Sequence, residues 1–176
     1  MSATHLVLVG LMGAGKTTVG ERCAELLGRP FVDTDDVVEA TAHATVAEIF
    51  EQFGEAHFRA LERQAVADVV ASPAPLVIAC GGGAVTDAGS RARLRDAGVV
   101  VWLQAPTAVL QARVGETGSR PLLQEGAAPA LERLARQREP MYDGVAHATV
   151  DTEGRTVDEV ADRVLAAAQG SDRWSA

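Results

Sequence analysis

The sequence predicts an α/β protein in which helices cover both faces of a parallel sheet. Apolar runs alternate with stretches of helical period from end to end, and the strand-like runs are continuously apolar instead of alternating with polar residues. Such strands are buried on both faces, which is typical of parallel sheets in α/β proteins. A length of 176 residues suits one domain, which we place at residues 1–170.

The first half of the chain is predicted to begin with a strand, "HLVLVG", because its apolar residues are continuous. A helix over residues 16–27 follows and ends at Gly28, Arg29 and Pro30, since glycine favours helix ends and proline cannot continue a helix. "FVD" is a second, short strand. The next helical stretches are expected at about 36–42, 45–53 and 55–71.

The second half repeats the same alternation. "PLVIAC" is a buried strand that runs into three glycines, and a helix over residues 87–96 separates it from the next strand, "GVVVWL". Pro106 opens a helix that runs to about residue 115, because proline fits the first turn of a helix. "HATVDT" is the last strand, and residues 156–169 form the closing helix.

Two segments have neither period. Residues 114–129, "VGETGSRPLLQEGAAP", are rich in Gly and Pro and lie between helices. A loop of this length inside a compact domain is more often functional than idle. The tail, residues 171–176, has no pattern, and we expect it to be disordered.

The composition excludes several classes of protein. A net charge of −8 argues against a nucleic-acid partner, which needs a basic face. The longest apolar runs are far shorter than the roughly 18 residues of a membrane span, and the first residues do not resemble a secretory signal. We therefore expect a cytoplasmic, monomeric enzyme that acts on small molecules. The four histidines (5, 43, 57 and 147) have no metal-binding spacing, and we expect them at surface or edge positions.

A phosphate-binding loop is predicted by "GLMGAGKT", which fits G-x-x-x-x-G-K-[ST] between a strand and a helix. Its glycines let backbone N–H groups point at phosphate oxygens, and the helix N-terminus adds a positive dipole. Lys16, the only lysine of the chain, suits the β- and γ-phosphates, and the Thr17 hydroxyl suits Mg²⁺. The predicted nucleotide-binding residues of this P-loop are Gly13, Ala14, Gly15, Lys16, Thr17 and Thr18.

The P-loop leaves several nucleotide-binding classes, and the sequence separates some of them. GTPase switches read guanine with an "NKxD" motif, which a chain with a single lysine in its P-loop does not contain. Motor and transport ATPases are usually much larger. A kinase of a small molecule or of a nucleotide fits best.

Six blocks in the same order and spacing resemble shikimate kinases over nearly the whole chain. They are "LVGLMGAGKTTVG", "DTD", "FGEAHFRALE", "CGGGAV", "RPLL" and "RQREPMY". The resemblance implies a three-layer fold with a five-stranded parallel sheet and a mobile lid at about residues 113–126. It also implies transfer of the γ-phosphate of ATP to the 3-hydroxyl of shikimate, with Mg²⁺ as cofactor and ATP as co-substrate.

The resemblance also implies roles for individual residues. Arg59 and Arg138 would bind the shikimate carboxylate, and the glycine segment (Gly81, Gly82 and Gly83) would line the shikimate pocket. Independently of the family, Arg59 and Glu62 have the i,i+3 spacing of an ion pair on a helix, and three glycines at a strand end favour close approach to a ligand. Arg120 would reach the phosphates from the lid, as a catalytic residue. Arg113 would pack on the adenine.

Three carboxylates crowd into the four residues "DTDD", and their positions predict different roles. Asp33, at the end of a strand beside the P-loop, is expected in the Mg²⁺ shell with Thr17. Asp35 would point the same way if the strand continued, and would accept or orient the proton of the acceptor hydroxyl, while Thr34 would face away. Asp36 is three residues before Glu39, which predicts a helix N-cap.

Two alternatives to a shikimate kinase remain at this point. The first is another small P-loop kinase, such as a gluconate kinase or a nucleoside-monophosphate kinase. The second is a nucleotide-binding regulator without activity. The pair of "DTD" and "FR..E" favours a carboxylate-bearing acceptor, and a regulator would be expected to lose Asp35, Arg59 or Arg120.

Overall fold

A computed structural model describes residues 4–115 and 127–174 of the chain. Its sheet has five strands, all parallel, in the order β2-β3-β1-β4-β5. The strands are β1 (His5–Val9), β2 (Phe31–Asp33), β3 (Val77–Ala79), β4 (Gly98–Gln104) and β5 (Ala148–Asp151). The predicted parallel α/β fold is confirmed, and every predicted strand is present.

Helices lie on both faces of this sheet, as predicted. In the part of the chain that the structure describes they are α1 (Lys16–Leu27), α2 (Thr34–Ala42), α3 (Val46–Val70), α4 (Ala88–Ala97), α5 (Thr107–Gly115), α6 (Ala127–Val145) and α7 (Val157–Gln169), with a short 3₁₀ helix at Ala84–Thr86. Helices α1 and α7 pack against each other, and α4 packs against α3 and α6. Among the described helices, none combines the length and the apolar character needed to cross a membrane.

The core is built from the strands that the sequence marks as continuously apolar. All five residues of β1 are buried, and so are Val99, Val100 and Val101 of β4. Side chains point alternately to the two faces of a strand, so a strand buried throughout must be covered on both sides. This burial explains why these runs carry no polar alternation.

Two helix boundaries differ from the prediction for identifiable reasons. Helix α2 begins at Thr34 instead of residue 36, because the Asp33 side chain accepts the backbone N–H of Asp35 and caps the helix. Bounds for α6 do not follow from the sequence pattern, since Pro140 lies inside the helix and interrupts a helical reading. The predicted break between residues 53 and 55 is present within α3, where Gly54 has φ 81° and ψ 172°.

The last described residues contact the chain just before the start of β1. The Arg29 guanidinium lies over the Trp174 ring, 4.6 Å from its centre, and donates to the Thr4 carbonyl. The Thr4 hydroxyl donates to the Arg173 carbonyl at 3.1 Å. These contacts attach residues 171–174, part of the tail expected to be disordered, to the start of β1.

Two histidine side chains, those of His5 and His147, bond to backbone groups near the N-terminal ends of the strands. The prediction of a surface or edge position is wrong for His5, which is 1% exposed, and His147 is half-buried. The His5 ring accepts the Leu76 N–H at Nδ1 and donates from Nε2 to the Val70 carbonyl, while His147 Nδ1 accepts the Val100 N–H. Burial lowers the pKa of both rings, and neighbouring arginines lower it further.

We expect the stability of the protein to fall as the pH drops from about 7 to about 5, in part because of these two rings. Their pKa is lower in the folded state, so the unfolded chain binds more protons, and the stability present above the unfolded pKa of about 6.5 is lost on acidification. The variant His5→Asn keeps an acceptor for the Leu76 N–H but does not titrate. Urea unfolding across this range should give a flatter pH dependence for His5→Asn than for the wild type.

His57→Gln is the matched control, since the His57 ring is exposed beside Phe53. Its pH dependence should follow the wild type. An unchanged slope in His5→Asn would show that His5 does not contribute to the acid sensitivity.

Candidate functional site

The order of the strands brings three functional segments to one edge of the sheet. Strand β1 lies in the centre of the sheet, between β3 and β4. Strands β2 and β3 lie on one side of it, and β4 and β5 lie on the other. Ligands bind outside the carboxyl ends of parallel strands at such a switch point. The P-loop follows β1, Asp33 ends β2 and the glycine segment follows β3.

The P-loop has the backbone that its glycines predict. Gly13 and Gly15 have φ of 80° and 90°, values that other residues rarely adopt, and Gly15 is the N-cap of α1. A Cβ on Gly13 would also lie 2.9 Å from the Leu110 carbonyl oxygen. The ammonium of Lys16 donates to the Gly10 and Leu11 carbonyls at 2.8 and 3.0 Å, which holds it above the loop.

A cavity of about 500 Å³ lies in front of the P-loop. It is lined by Met12, Gly13, Gly15, Lys16, Thr17, Thr18, Asp33, Asp35, Asp36, Cys80, Gly81, Gly82 and Arg113. The lining therefore contains most of the predicted nucleotide-binding residues together with all three crowded carboxylates. We call it the nucleotide cleft.

Asp33 makes two contacts at the edge of this cleft. Its Oδ2 accepts the Thr17 hydroxyl at 2.9 Å, and its Oδ1 accepts the Asp35 N–H at 2.9 Å. The prediction that Asp36 caps α2 is wrong, because the strand ends at Asp33 and the cap lies where the helix starts. Asp36 is largely exposed. Its pKa is raised by the partial burial of its carboxylate and by the negative charges of Asp33, Glu39 and Glu21.

A second cavity, of about 80 Å³, adjoins the nucleotide cleft. Its walls are partly apolar and partly charged: Met12, Asp35, Val46, Phe50, Phe58, Arg59, Glu62, Gly82, Gly83 and Arg138. We call it the acceptor pocket. It contains Asp35, Arg59 and Arg138, which the sequence predicts to act together, and a wall formed by Val46, Phe50 and Phe58 that sequence reasoning missed.

The predicted pair of Arg59 and Glu62 is present on α3. Arg59 Nη1 donates to Glu62 Oε2 at 2.7 Å, and its Nε and Nη2 donate to Glu55 Oε1 at 3.3 and 3.1 Å. The Glu62 side chain is only 4% exposed. Burial raises the pKa of Glu62, and the charges of Arg59 and Arg138 offset part of that effect. The pair fixes the Arg59 guanidinium at the pocket wall.

Arg138 reaches the acceptor pocket from α6. It is 3% exposed, and its Nε is buried without a hydrogen-bond partner among the described residues. Arg133 and Arg136, on the same helix, are exposed, as the sequence predicts for a solvated face. A buried guanidinium with an unused donor suits a site for an anion.

Two residues of the glycine segment, Gly81 and Gly83, are packed too closely for side chains. A Cβ on Gly83 would overlap the Arg59 guanidinium, and one on Gly81 would overlap Asp35 and lie 2.9 Å from Glu62 Oε1. The buried Thr34 hydroxyl accepts the Gly81 N–H at 2.9 Å, so Thr34 does not face away from the site as expected. The expectation failed because β2 does not continue past Asp33.

Arg113 connects the P-loop to the segment after β5. Its guanidinium donates to the Gly13 carbonyl, to the Thr152 hydroxyl and to the Thr152 carbonyl at 3.2, 3.0 and 3.1 Å. It also lines a third cavity, of about 190 Å³, together with Arg155, a residue that the sequence prediction did not include. The position of Arg155, just after the last strand, is the signal that was available. Arg120 and most of the predicted lid lie outside the described residues.

The nucleotide cleft and the acceptor pocket share three lining residues: Met12, Asp35 and Gly82. Asp35 is the carboxylate among them. A group in the acceptor pocket would therefore meet a phosphate chain in the cleft beside this side chain.

Comparisons with known proteins agree with this geometry. A family model described as shikimate kinase matches residues 12–169. A shikimate kinase of Salinispora arenicola is 52% identical over 91% of this chain and 95% of that protein. The structure of shikimate kinase from Acinetobacter baumannii in complex with shikimate has a TM-score of 0.89 and 41% identity, over 93% of this chain and 91% of that one. A gluconokinase from Sinorhizobium meliloti 1021, at 19% identity and a TM-score of 0.58, shares the fold alone.

The assignment of Asp33 as the N-cap of α2 leads to a prediction about the free energy of unfolding. We expect Asp33→Ala to lower the free energy of unfolding by about 1 kcal/mol, because the Asp35 N–H loses its acceptor. Asp33→Asn should stay near the wild type, since asparagine caps about as well as aspartate. Asp36→Ala should change it by less than about 0.5 kcal/mol. Chemical unfolding measures all three, and a larger loss in Asp36→Ala than in Asp33→Ala would contradict the assignment of the cap.

Proposed function

The chain belongs to the shikimate kinase family, and from that membership we propose a role for each side chain of its site. Its activity is that of an ATP-dependent kinase, which transfers the γ-phosphate of ATP to the 3-hydroxyl of shikimate to give shikimate 3-phosphate and ADP. The observation that carries the proposed roles is the pair of adjoining cavities that share Asp35. One cavity suits a phosphate chain, and the other suits a small cyclic carboxylate.

The P-loop is proposed to bind the phosphates of ATP. The residues are Gly13, Ala14, Gly15, Lys16, Thr17 and Thr18, with backbone N–H groups and the N-terminus of α1 as donors. Lys16 would exchange the carbonyls of Gly10 and Leu11 for β- and γ-phosphate oxygens. Its role is catalytic, because it neutralises charge on the group that is transferred.

Mg²⁺ is proposed to bind beside Thr17 and Asp33. Their side-chain oxygens lie 2.9 Å apart at the edge of the nucleotide cleft, and hard oxygen ligands of this kind suit Mg²⁺. Mg²⁺ in proteins is commonly held by one or two such groups and by the phosphates of the substrate. When bound, it would neutralise negative charge on the β- and γ-phosphates.

Arg59 and Arg138 are proposed to bind the carboxylate of shikimate. Both guanidiniums line the acceptor pocket, and Glu62 holds the first of them at 2.7 Å. Residues 81–83 would bring backbone close to the ring of the substrate, and at Gly81 and Gly83 a side chain would not fit. The apolar wall of Val46, Phe50 and Phe58 suits the carbon face of that ring.

Asp35 is proposed to orient the 3-hydroxyl and to accept its proton. In the transfer, a bond forms between the hydroxyl oxygen and the γ-phosphorus, the bond to the β–γ bridging oxygen breaks, and ADP leaves. Phosphoryl transfer depends mainly on position and charge neutralisation, so the location of Asp35 between the two cavities matters more than its basicity.

Several further roles remain part of the proposal. Arg120 would reach the phosphates from a lid at about residues 113–126, and Arg113 would pack on the adenine from the cavity that it lines with Arg155. We also propose a single domain over residues 1–170 and a cytoplasmic monomer that binds neither nucleic acid nor membrane. The net charge of −8 supports the absence of a nucleic-acid partner.

The activity is tested by following ADP release with ATP, Mg²⁺ and either shikimate or gluconate. We expect release that depends on shikimate and no increase with gluconate: both carry a carboxylate for the two guanidiniums, but the apolar wall of the acceptor pocket suits the carbon face of a ring, which open-chain gluconate lacks. Lys16→Ala should fold and show no shikimate-dependent release. Release with gluconate but not with shikimate would replace this activity with that of a gluconate kinase.

The proposed metal site is tested with Asp33→Asn, which keeps the helix cap but removes the charge. We expect it to need about tenfold more Mg²⁺ for half-maximal activity, as for changes to groups that orient a bound metal. Asp96→Asn removes an exposed carboxylate of α4 and should not change the requirement. Equal Mg²⁺ dependence in the wild type and Asp33→Asn would exclude Asp33 from the metal site.

A further inference from the structure

Tyr142, the only tyrosine of the chain, contacts the glycine segment without lining either of the two cavities. It lies on α6, is fully buried, and its hydroxyl donates to the Gly82 carbonyl at 2.5 Å. The two residues are 60 positions apart in the sequence. The bond therefore connects α6 to the backbone that the two cavities share.

The phenol is held as a donor by its surroundings. Its ring stacks on Trp102 of β4, with centres 5.7 Å apart and planes at 28°. Burial raises the pKa of Tyr142, and the nearby Arg138 guanidinium offsets only part of that effect, so the hydroxyl keeps its proton. A fixed ring with a fixed proton sets the position of the carbonyl that accepts from it.

Gly82 lies where the donor and acceptor sides of the site meet. A Cβ on Gly82 would be 3.5 Å from Arg138 Nη1 and from the Gly10 carbonyl oxygen, and 3.6 Å from the Met12 nitrogen. Arg138 and Tyr142 are four residues apart on α6, so they lie on the same face of that helix. A rotation of the Gly82 peptide would therefore change the width of the acceptor pocket beside Arg138.

Other elements hold the other two glycines. The Thr34 hydroxyl of α2 accepts the Gly81 N–H, and the Gly83 carbonyl accepts from the N–H and the hydroxyl of Thr86 at 2.9 and 2.7 Å. Among the described residues, the hydrogen bond from Tyr142 ties the middle of the segment to the helix that carries Arg138.

We propose that Tyr142 is a positioning residue for the acceptor: its hydroxyl fixes the Gly82 carbonyl and, through it, the spacing between the glycine segment and Arg138. The inference rests on the proposed function of the acceptor pocket as the shikimate site. Tyr142 does not line either cavity, so its effect passes through Gly82 and Arg138. The hydroxyl, and not the ring, is the group that matters.

The test is Tyr142→Phe, which keeps the ring and its stacking on Trp102 but removes the donor. We expect the KM and the Kd for shikimate to rise about three- to tenfold, the range of one net hydrogen bond, because the Gly82 peptide becomes free to rotate. The KM for ATP should stay within about twofold, since Lys16 and backbone bonds hold the P-loop independently.

Trp102→Phe is the matched control, because it removes buried volume but keeps an aromatic ring against Tyr142, so the hydroxyl stays in place. It should lower Tm without changing the KM for shikimate. An unchanged shikimate KM in Tyr142→Phe, or equal rises in both KM values, would overturn the inference. An inactive wild type would instead overturn the proposed function, and calorimetry with shikimate alone would still compare Tyr142→Phe with the wild type.

Discussion

The site depends on a cluster of charges packed against three glycines, two of which, Gly81 and Gly83, have no room for a side chain. Four charged side chains lie around residues 81–83: Arg59, Arg138, Glu62 and Asp35. The Glu62 carboxylate accepts from the Arg59 guanidinium at 2.7 Å, and its charge also interacts with the Arg138 guanidinium. Charges withdrawn from water are tolerated only when opposite charges and hydrogen bonds compensate them. The cluster contains two cations and two carboxylates, so its charges balance before any ligand arrives, while Arg138 Nε keeps an unused donor. An anionic acceptor would then find guanidiniums that are already oriented, which reduces the entropy lost on binding.

The parallel sheet is what brings these charges together. Its order puts the ends of β1, β2 and β3 side by side, and each end leads into a segment with a different chemistry. The P-loop offers N–H groups and an ammonium, Asp33 and Asp35 offer carboxylates, and the glycine segment offers bare backbone. Helices α3 and α6 then add the arginines from one side. Since the central strands β3, β1 and β4 are buried on both faces, their exposed polar groups are confined to the ends, and the site forms there.

The sequence predicts the parts of this arrangement that are local. The P-loop is recognisable because its backbone angles require glycine, and the Arg59–Glu62 pair follows from helical spacing. The parts that failed depend on where an element ends or on contacts between distant residues. Asp36 lost the cap because β2 stops at Asp33, and α6 has no visible bounds because it contains Pro140. Thr34 and Tyr142 bond to glycines 47 and 60 residues away, and no period or motif reports such a bond.

The crowding of Asp33, Asp35 and Asp36 is relieved by the N-terminus of α2, where all three residues lie. One oxygen of Asp33 accepts a backbone N–H of α2 and the other accepts the Thr17 hydroxyl, so the carboxylate is fixed in rotation. Negative charge is also favoured at a helix N-terminus, which offsets part of the burial and of the repulsion that together raise the pKa of Asp36. The same two bonds give the proposed metal ligand its direction. A side chain that caps the helix is therefore held ready for a cation, and the crowding that looks unfavourable in the sequence becomes a means of orientation.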